Sequence, residues 1–263
     1  MKRLIVAAAL ALLVVRLPAS AAPATLAAHR AATAAALSMP LAPERHLEPH
    51  GLGILGEVWR VPMERREIAL TFDDGPYPFY TPLLLHELER SRVPATFFLV
   101  GRSCQEFPEL VEDIVSDGDE IGNHTFNHYK LTHLSESAIE QQIALDGKEL
   151  APFSHEPITL FRPPHGRYDH RVVALAHAMG YSTIFWNDSP EDTKDVSPAL
   201  ITRRVLAQAT PGGIVLLHSG QYRTVEALPV IIDRLRSEGY RFVTVSQLME
   251  DGGLTPAGAA VTQ

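Results

Sequence analysis

The chain has 263 residues, which is enough for one large α/β domain or two small ones and enough to bury a core without disulfide bonds. It contains one cysteine, Cys104, so an intramolecular disulfide is excluded, and we interpret this residue as a small hydrophobic core residue. The net charge of −8 argues against nucleic acids and anionic membranes as partners and is compatible with a neutral or cationic polymer.

The first 21 residues predict a signal peptide. Lys2 and Arg3 precede an apolar run at residues 4–15, and Ala19-Ser-Ala21 offers a cleavage site. The run is shorter than the about 20 residues that a membrane-spanning helix needs, so stable membrane insertion is not expected. An uncleaved anchor or an amphipathic helix is the alternative reading. We therefore expect a secreted or periplasmic protein.

Residues 22–64 are predicted to form a linker and then a segment that leads into the domain, because alanine, proline and glycine dominate them. From residue 65 to residue 250, short apolar runs alternate with segments of helical period, which predicts a single domain. The glycine- and alanine-rich residues 251–263 are predicted to form a flexible tail.

The domain is predicted to repeat a strand followed by a helix. Strands are predicted at residues 68–72, 95–100, 120–122, 158–161, 182–186, 214–217 and 242–245. Helices are predicted from Thr81, at 108–117, from near Ser135 with a capping box at 137–140, at 169–179, from Ser197, at 225–237 and at 247–250. This alternation implies an α/β fold with a parallel sheet, either closed into a barrel or open.

Ionisable residues follow five of the predicted strands. They are Asp73 and Asp74, His124 and His128, Arg162, a group of Asp188, Glu191 and Asp192, and His218. In either fold the carboxyl ends of parallel strands meet at one end of the domain, so we expect these residues to share one site. Each signal alone is weak, since an Asp-Asp-Gly-Pro sequence can simply be a turn.

The two histidines at this end suggest a metal site. His124 and His128 are four residues apart, which predicts two imidazoles on one side of a helical turn. Two histidines, a carboxylate and an open position suit a catalytic Zn²⁺. Hydrolysis of an amide also needs a base and an acid, which a second aspartate and His218 could supply.

Four motifs together resemble the polysaccharide deacetylase family (NodB-homology, carbohydrate esterase 4). They are Thr71-Phe-Asp-Asp-Gly-Pro76, His124-Thr-Phe-Asn-His128, Arg162-Pro-Pro164 and Leu216-Leu-His218. The resemblance covers about residues 65–250 and implies a distorted (β/α) barrel of about seven parallel strands. It also implies bound Zn²⁺, or another divalent metal such as Co²⁺, and removal of N-acetyl or O-acetyl groups from a polysaccharide such as peptidoglycan or chitin-type oligomers.

The resemblance further implies a role for each matching residue. Asp73 would be the general base, held by Arg162, and His218 the general acid, oriented by Asp192. The implied metal ligands are Asp74, His124 and His128. The implied substrate-binding residues are Leu216, which would contact the acetyl methyl group, with His165 and Trp186.

Two positions depart from the family pattern. His165 stands where a tyrosine often follows the prolines, although its backbone N–H could still stabilise an oxyanion. Thr193 stands where a tryptophan usually follows Asp192, so an aromatic wall of the pocket is missing or is supplied by Trp186 or Tyr168.

Two other functions remain open at this point. One is a non-catalytic carbohydrate-binding relative, which the absence of a base, ligand or acid would favour, and none of these is absent. The other is a hydrolase that uses the same chemistry on an acetylated small molecule.

Overall fold

The computed structural model describes residues 56–255. The predicted signal peptide, most of the predicted linker and the last part of the predicted tail lie outside the described residues. Among the described residues, no helix is long and apolar enough to cross a membrane.

One parallel sheet forms the centre of the domain. Its strands are β1 (Glu57–Val58), β2 (Glu67–Asp73), β3 (Thr96–Leu99), β4 (Glu120–Asn123), β5 (Leu160–Phe161), β6 (Ser182–Ile184), β7 (Gly213–His218) and β8 (Arg241–Phe242). The strand order is β1-β6-β5-β4-β3-β2-β7, with β8 paired to β2. An isolated parallel bridge from Asp188, after β6, to Val215 of β7 joins the two sides of the curled sheet. The fold is therefore a distorted β/α barrel, and the seven predicted strands correspond to β2–β8.

Helices cover the outside of the sheet. They are α1 (Thr81–Ser91), α2 (Gly101–Glu106), α3 (Pro108–Ser116), α4 (Glu136–Leu150), α5 (His170–Ala178), α6 (Pro198–Gln208), α7 (Tyr222–Ser237) and α8 (Val245–Asp251). Short 3-10 turns lie at Leu131–His133, Ala151–Phe153 and Pro164–Gly166. Helix α2 and strand β1 were not predicted from the sequence. Strand β1 lies before the predicted domain start at residue 65 and pairs with β6, while the boundary itself stays a prediction.

The helix starts follow local capping chemistry. Ser135 caps α4 because its side chain accepts a hydrogen bond from the Ala138 N–H, so the capping box predicted at 137–140 is wrong. Thr244 caps α8 in the same way, which ends the last strand earlier than predicted and begins the helix at Val245.

Strand β2 shows why the chemistry lies at one end of the barrel. Ile68, Leu70 and Phe72 belong to the core between the sheet and the helices, whereas Ala69 belongs to the inner core of the barrel. Side chains alternate along a strand, so Thr71 and Asp73 continue the inner face. The inner face therefore changes from apolar to ionisable toward the carboxyl end of the strand.

The lone thiol is a core side chain. Cys104 is 2% exposed and packs in the core between the sheet and the helices. Burial raises the pKa of this thiol, which keeps it protonated and unreactive. This confirms the sequence interpretation.

Candidate active site

Asp74, His124 and His128 lie together at the carboxyl ends of β2 and β4. One ligand atom from each residue lies within 4.8 Å of the other two. The Asp74 Oδ1 atom is 3.5 Å from Nε2 of His124 and 3.0 Å from Nε2 of His128. Asp74 directly follows β2 with a φ of 76°, a left-handed conformation that aspartate adopts more readily than most residues. These three residues form a group that could hold a metal ion.

The two histidines do not lie on a helical turn, and that prediction is wrong. Residues 124–128 form an irregular loop after β4, which we call the ligand loop. Within it, Thr125 has a φ of 68° and His128 a φ of 57°. These left-handed residues turn the chain so that the ring centroids of His124 and His128 are 5.0 Å apart.

A hydrogen bond orients the ring of His124. Its Nδ1 lies 2.8 Å from the carbonyl oxygen of Arg162. A carbonyl only accepts, so Nδ1 carries the hydrogen, and in the neutral ring Nε2 presents a lone pair to the carboxylate of Asp74. Two acceptors that face each other require a cation between them, either a proton or a metal ion. A histidine whose other ring nitrogen bonds to a carbonyl is the usual arrangement for a metal ligand.

Asp74, the carboxylate of this possible ligand group, is ionised at neutral pH. Burial of the Asp74 carboxyl opposes its ionisation, but the adjacent imidazoles of His124 and His128 outweigh that effect. The pKa of Asp74 is therefore well below its usual range. A negative oxygen ligand beside two imidazoles suits a divalent cation.

Arg162 holds the other aspartate from inside the barrel. Its side chain is fully buried, and Nη1 donates to Asp73 Oδ1 and Thr71 Oγ1, each at 2.7 Å. Its Nε and Nη2 donate to the carbonyls of Ile184 and Phe185, each at 3.1 Å. Burial lowers the pKa of the guanidinium, and the charge of Asp73 opposes that shift. The expected pairing of Arg162 with Asp73 is therefore present, and the carboxylate is fixed in place.

His218 and Asp192 form a second charged pair. His218 Nδ1 lies 2.8 Å from Asp192 Oδ1. Asp192 Oδ2 accepts from the His218 N–H at 2.9 Å and from the Thr224 hydroxyl at 2.7 Å. Burial lowers the pKa of His218, but the hydrogen bond and charge of Asp192 outweigh burial and raise it to about 9. His218 is therefore protonated at neutral pH.

The pairing of β2 with β7 brings the Asp73–Arg162 pair and the His218–Asp192 pair to the same end of the barrel, which we call the mouth of the site. Asp73 is the register partner of His218, and Thr71 is the register partner of Leu216. Neighbouring strands are about 4.8 Å apart, so register partners project side by side from the same face. Leu216 is buried directly below His218 on that face.

The other predicted substrate-binding residues lie around this mouth. His165 is exposed, and its ring centroid is 4.6 Å from that of His128. Trp186 is half-buried, and its ring centroid is 5.6 Å from Cζ of Arg162. Tyr168 packs on Phe185 at 4.6 Å between ring centroids. Thr193 is exposed beside Asp192.

Asp188 does not join the site, although it follows β6 with Asp192. Its side chain is fully buried, and neither carboxyl oxygen has a hydrogen-bond partner among the described residues. Its bridge partner Val215 belongs to the core between the sheet and the helices, so both side chains point away from the barrel interior. Burial raises the pKa of Asp188 well above its usual value.

Left-handed backbone conformations concentrate at this end of the barrel. Among the described residues other than glycine, φ is positive at Asp74, Arg92, Thr125, His128, His165 and Glu191. Arg92 ends helix α1, and the other five lie in the segments that follow β2, β4, β5 and β6. Such conformations persist only where surrounding contacts fix them, and they cluster at functional sites.

Sequence reasoning missed the polar residues that support the site. Thr71 accepts from Arg162 and donates to the Val215 carbonyl at 2.7 Å. Asn123 accepts from the Thr125 N–H at 3.0 Å and donates to the Ile143 carbonyl at 2.8 Å. Each is a polar residue in the carboxyl-terminal half of a buried strand, which is the signal that could have identified them.

Comparison with known proteins agrees with this arrangement. The sequence profile described as polysaccharide deacetylase matches residues 60–184. A peptidoglycan-N-acetylglucosamine deacetylase of Bacillus cereus is 41% identical over 211 residues, which cover 78% of this chain and 96% of that protein. A chitooligosaccharide deacetylase of a Bradyrhizobium species is 32% identical over 198 residues, which cover 70% of this chain and 90% of that protein.

Solved structures show the same fold. A peptidoglycan N-acetylglucosamine deacetylase superposes with a TM-score of 0.73 at 32% identity, over 77% of this chain and 95% of that one. A pseudoenzyme of the carbohydrate esterase 4 family from Bacillus anthracis superposes with a TM-score of 0.71 at 29% identity, over 79% of this chain and 72% of that one. The chain belongs to the polysaccharide deacetylase family and is an enzyme of that family.

Proposed function

We propose that the protein is a metal-dependent hydrolase that removes the N-acetyl group of N-acetylglucosamine residues in peptidoglycan or a chemically similar glycan. One observation carries the proposal. A group of possible metal ligands, a carboxylate held by Arg162 and an imidazole held by Asp192 meet at one end of the barrel. The similarity to a peptidoglycan-N-acetylglucosamine deacetylase supports this polymer as the substrate.

The metal would be Zn²⁺ or Co²⁺, held by Asp74, His124 and His128. One carboxylate and two imidazoles suit these cations and leave room for further ligands. When bound, such a cation polarises a carbonyl oxygen and makes water more acidic.

Asp73 would act as the general base. Its Oδ1 is bonded to Arg162 at 2.7 Å, while its Oδ2 lies 3.7 Å from Nε2 of His124. The Arg162 contact fixes the carboxylate beside the ligand group, where it can take a proton from the attacking water.

His218 would act as the general acid. Its Nδ1–H is bonded to Asp192, which leaves the protonated Nε2 free to donate to the departing amine. A pKa of about 9 keeps the proton available at neutral pH. Asp192 would orient the ring and stabilise its charge, as the third member of a catalytic triad does.

The acetyl group would lie between the strands that carry these groups. Leu216, on the same face as His218, would contact the methyl group. The backbone N–H of His165 could stabilise the oxyanion, and Trp186 would border the sugar. Because Thr193 is exposed and small, the pocket would be more open on this side than with a tryptophan at the same position.

Exposed aromatic side chains favour a polymer over a small molecule. Phe79, Tyr129, Tyr168 and Tyr222 are 70%, 51%, 42% and 53% exposed, and each lies within a few residues of a site residue. Aromatic rings offer large, rigid contact area with little loss of conformational freedom. Around the mouth of the site they could stack on neighbouring sugars of a long substrate.

Acetate release tests this function. The chain beginning at residue 22 should be assayed on peptidoglycan, chitin oligomers, acetylxylan and monomeric N-acetylglucosamine. We expect activity on the first two, loss of activity after chelation, and recovery with Zn²⁺ or Co²⁺. Full activity in a verified metal-free preparation would contradict the metal-dependent mechanism. Activity on the monomer alone would favour the small-molecule alternative.

We also propose that the mature protein is secreted or periplasmic. The proposal rests on the charged, apolar and small-residue pattern of residues 1–21. Amino-terminal sequencing of protein from the cell exterior or periplasm should begin near Ala22. Recovery of the intact chain from the cytoplasm would contradict the proposal.

A further inference from the structure

Helix α4 binds the backbone of the ligand loop through two of its side chains. Asp146 Oδ2 accepts from the His124 N–H at 2.8 Å, and the same N–H also donates to the Leu99 carbonyl at 2.9 Å. The Gln142 side chain accepts from the Asn127 N–H through Oε1 at 2.8 Å, and the main-chain carbonyl of Gln142 accepts from the Phe126 N–H at 3.0 Å. Three of the five backbone N–H groups in the loop are therefore bonded to one helix.

Both side chains are buried and lie on the same face of α4. Asp146 is 0% exposed and Gln142 is 7% exposed. They are four residues apart, which places them one above the other on a helix. Ionisable and amide side chains are rarely buried this deeply unless polar partners require them. Here the partners are backbone groups of the ligand loop.

Helix α2 also holds the loop. The Gly101 N–H donates to the Thr125 carbonyl at 3.2 Å, and the Arg102 N–H donates to the Phe126 carbonyl at 3.0 Å. A Cβ atom at Gly101 would lie 2.7 Å from Asp146 Oδ1 and 2.8 Å from Cδ2 of Phe126. Glycine at this position therefore allows α2, the loop and Asp146 to approach each other closely.

These contacts hold a strained backbone. Thr125 and His128 have φ values of 68° and 57°, which residues with a Cβ rarely adopt. The two conformations aim the imidazoles of His124 and His128 at Asp74. Without fixed partners for the loop amides, the chain would be expected to relax toward more favourable conformations and turn the imidazoles away.

We propose that Asp146 and Gln142 are positioning residues that hold both histidine ligands in their metal-binding orientation before the metal binds. The inference rests on the metal site proposed above. It differs from a purely structural role because it predicts an effect on metal affinity and ligand geometry that is larger than the effect on folding.

The test measures metal binding in variants of α4. Zn²⁺ affinity is determined by competition with a chelator, the visible spectrum of the Co²⁺ form reports ligand geometry, and circular dichroism confirms folding. Asp146→Ala should lower Zn²⁺ affinity by about 10–100-fold, the range found when groups that orient metal ligands are removed, and should change the Co²⁺ spectrum. Asp146→Asn should recover part of the affinity, because its amide oxygen can still accept from His124.

Two further variants complete the comparison. Gln142→Ala should lower the affinity in the same direction, because it removes the side-chain acceptor of the Asn127 N–H, whereas the main-chain bond to the Phe126 N–H is kept. Gln141→Ala is the matched control, because this exposed glutamine is next to Gln142 and contacts no loop amide, and it should bind Zn²⁺ like the wild type. If Asp146→Ala does not fold, the Zn²⁺ affinities of Gln142→Ala and Gly101→Ala test the proposal. Both affinities are expected to lie below that of the wild type.

The outcomes separate this inference from the proposed function. Wild-type Zn²⁺ affinity and Co²⁺ spectra in folded Asp146→Ala and Gln142→Ala would overturn the positioning role. A wild-type protein that binds no divalent metal would overturn both the metal site and this inference. A wild-type protein that binds metal but releases no acetate would overturn the activity alone.

Discussion

The ligand loop at residues 124–128 and the segment at residues 188–195, which we call the acid loop, both bring side chains to the site, but they are held differently. Helices α2 and α4 both bind the backbone of the ligand loop. Asp192 joins the acid loop to β7 and α7, and side chains of α6 bond to the backbone of Ser189 and Pro190, while residues 193–195 are exposed.

This difference in support and exposure explains why the ligand loop keeps the family motif and the acid loop departs from it. The ligand loop contains both expected histidines, and each of its backbone amides has a partner, so a changed backbone would displace the ligands. The acid loop contains the unexpected Thr193 next to Asp192. An exposed position can change the shape of the pocket without moving the pair of Asp192 and His218. Metal binding and substrate preference should therefore be separable by mutation.

The largest expected effect separates catalysis from metal binding at the adjacent Asp73 and Asp74. Asp73→Asn should lower kcat by about 10²–10⁴-fold with little change in Zn²⁺ content, because an amide cannot act as a general base. Asp74→Asn should lose both activity and Zn²⁺, because the charged oxygen ligand is gone. Activity and metal content of the purified variants are measured together, with the exposed Asp113→Asn as the control. Metal loss in Asp73→Asn with retention in Asp74→Asn would reverse the assignment.

The acid loop should control the alkaline limit of activity. The hydrogen bond and charge of Asp192 raise the pKa of His218 to about 9, and a general acid must be protonated to act. Wild-type activity should therefore fall as the pH rises through this value. In Asp192→Asn the fall should begin at lower pH. At a fixed pH above the pKa of His218, activity should be about ten-fold lower for each unit by which the substitution decreases that pKa.

The profile of kcat/KM against pH measures this shift. Asp195→Asn is the matched control, because this exposed carboxylate lies in the same loop and pairs with Arg223 instead of His218. Zn²⁺ content should be unchanged in both variants. An alkaline limb in Asp192→Asn that coincides with the wild type would show that Asp192 does not set the pKa of the acid.

Thr193 should affect substrate choice and leave the metal in place. Thr193→Trp would supply an aromatic wall, and we expect it to change the ratio of kcat/KM values for peptidoglycan and acetylxylan by about ten-fold, as small changes of pocket shape do. Thr193→Ser serves as the control because it keeps the pocket open. Loss of bound Zn²⁺ from a folded Thr193→Trp protein would show that Thr193 has been placed wrongly.

Asp188, at the start of the acid loop, should affect stability and leave activity nearly unchanged. Its carboxyl is buried with no hydrogen-bond partner among the described residues, so Asp188→Val should stabilise the fold by about 1–3 kcal/mol, the penalty of an unsatisfied buried group. Thermal unfolding would detect this as a rise of about 2–4 °C in Tm for each kcal/mol.

The stabilisation should grow with pH. Burial raises the pKa of Asp188, so the folded protein keeps a proton that the unfolded chain releases above about pH 4. The unfolded state then binds fewer protons, and the wild type loses stability as the pH rises. Asp188→Asn is the control, because it removes this pH dependence while leaving a buried polar group. A gain in Tm for Asp188→Val that is constant from pH 5 to pH 8 would contradict this account.

Local patterns in the sequence determined the layout of the barrel. The short apolar run at residues 68–72 predicted a strand, and the ionisable residues at successive strand ends predicted one shared site. These inferences succeeded because the period of a strand and the polarity at its end depend on neighbouring residues.

Only the tertiary structure decided how the ligands meet. The spacing of His124 and His128 suggested a helical turn, but the loop is irregular, and Asp146 on α4 bonds to it across 22 residues of sequence. Strand β1 likewise joins the sheet by pairing with β6, far along the chain. Left-handed conformations at Thr125 and His128 are unfavourable in isolation and exist because distant backbone and side-chain groups fix them, so local sequence could not reveal them.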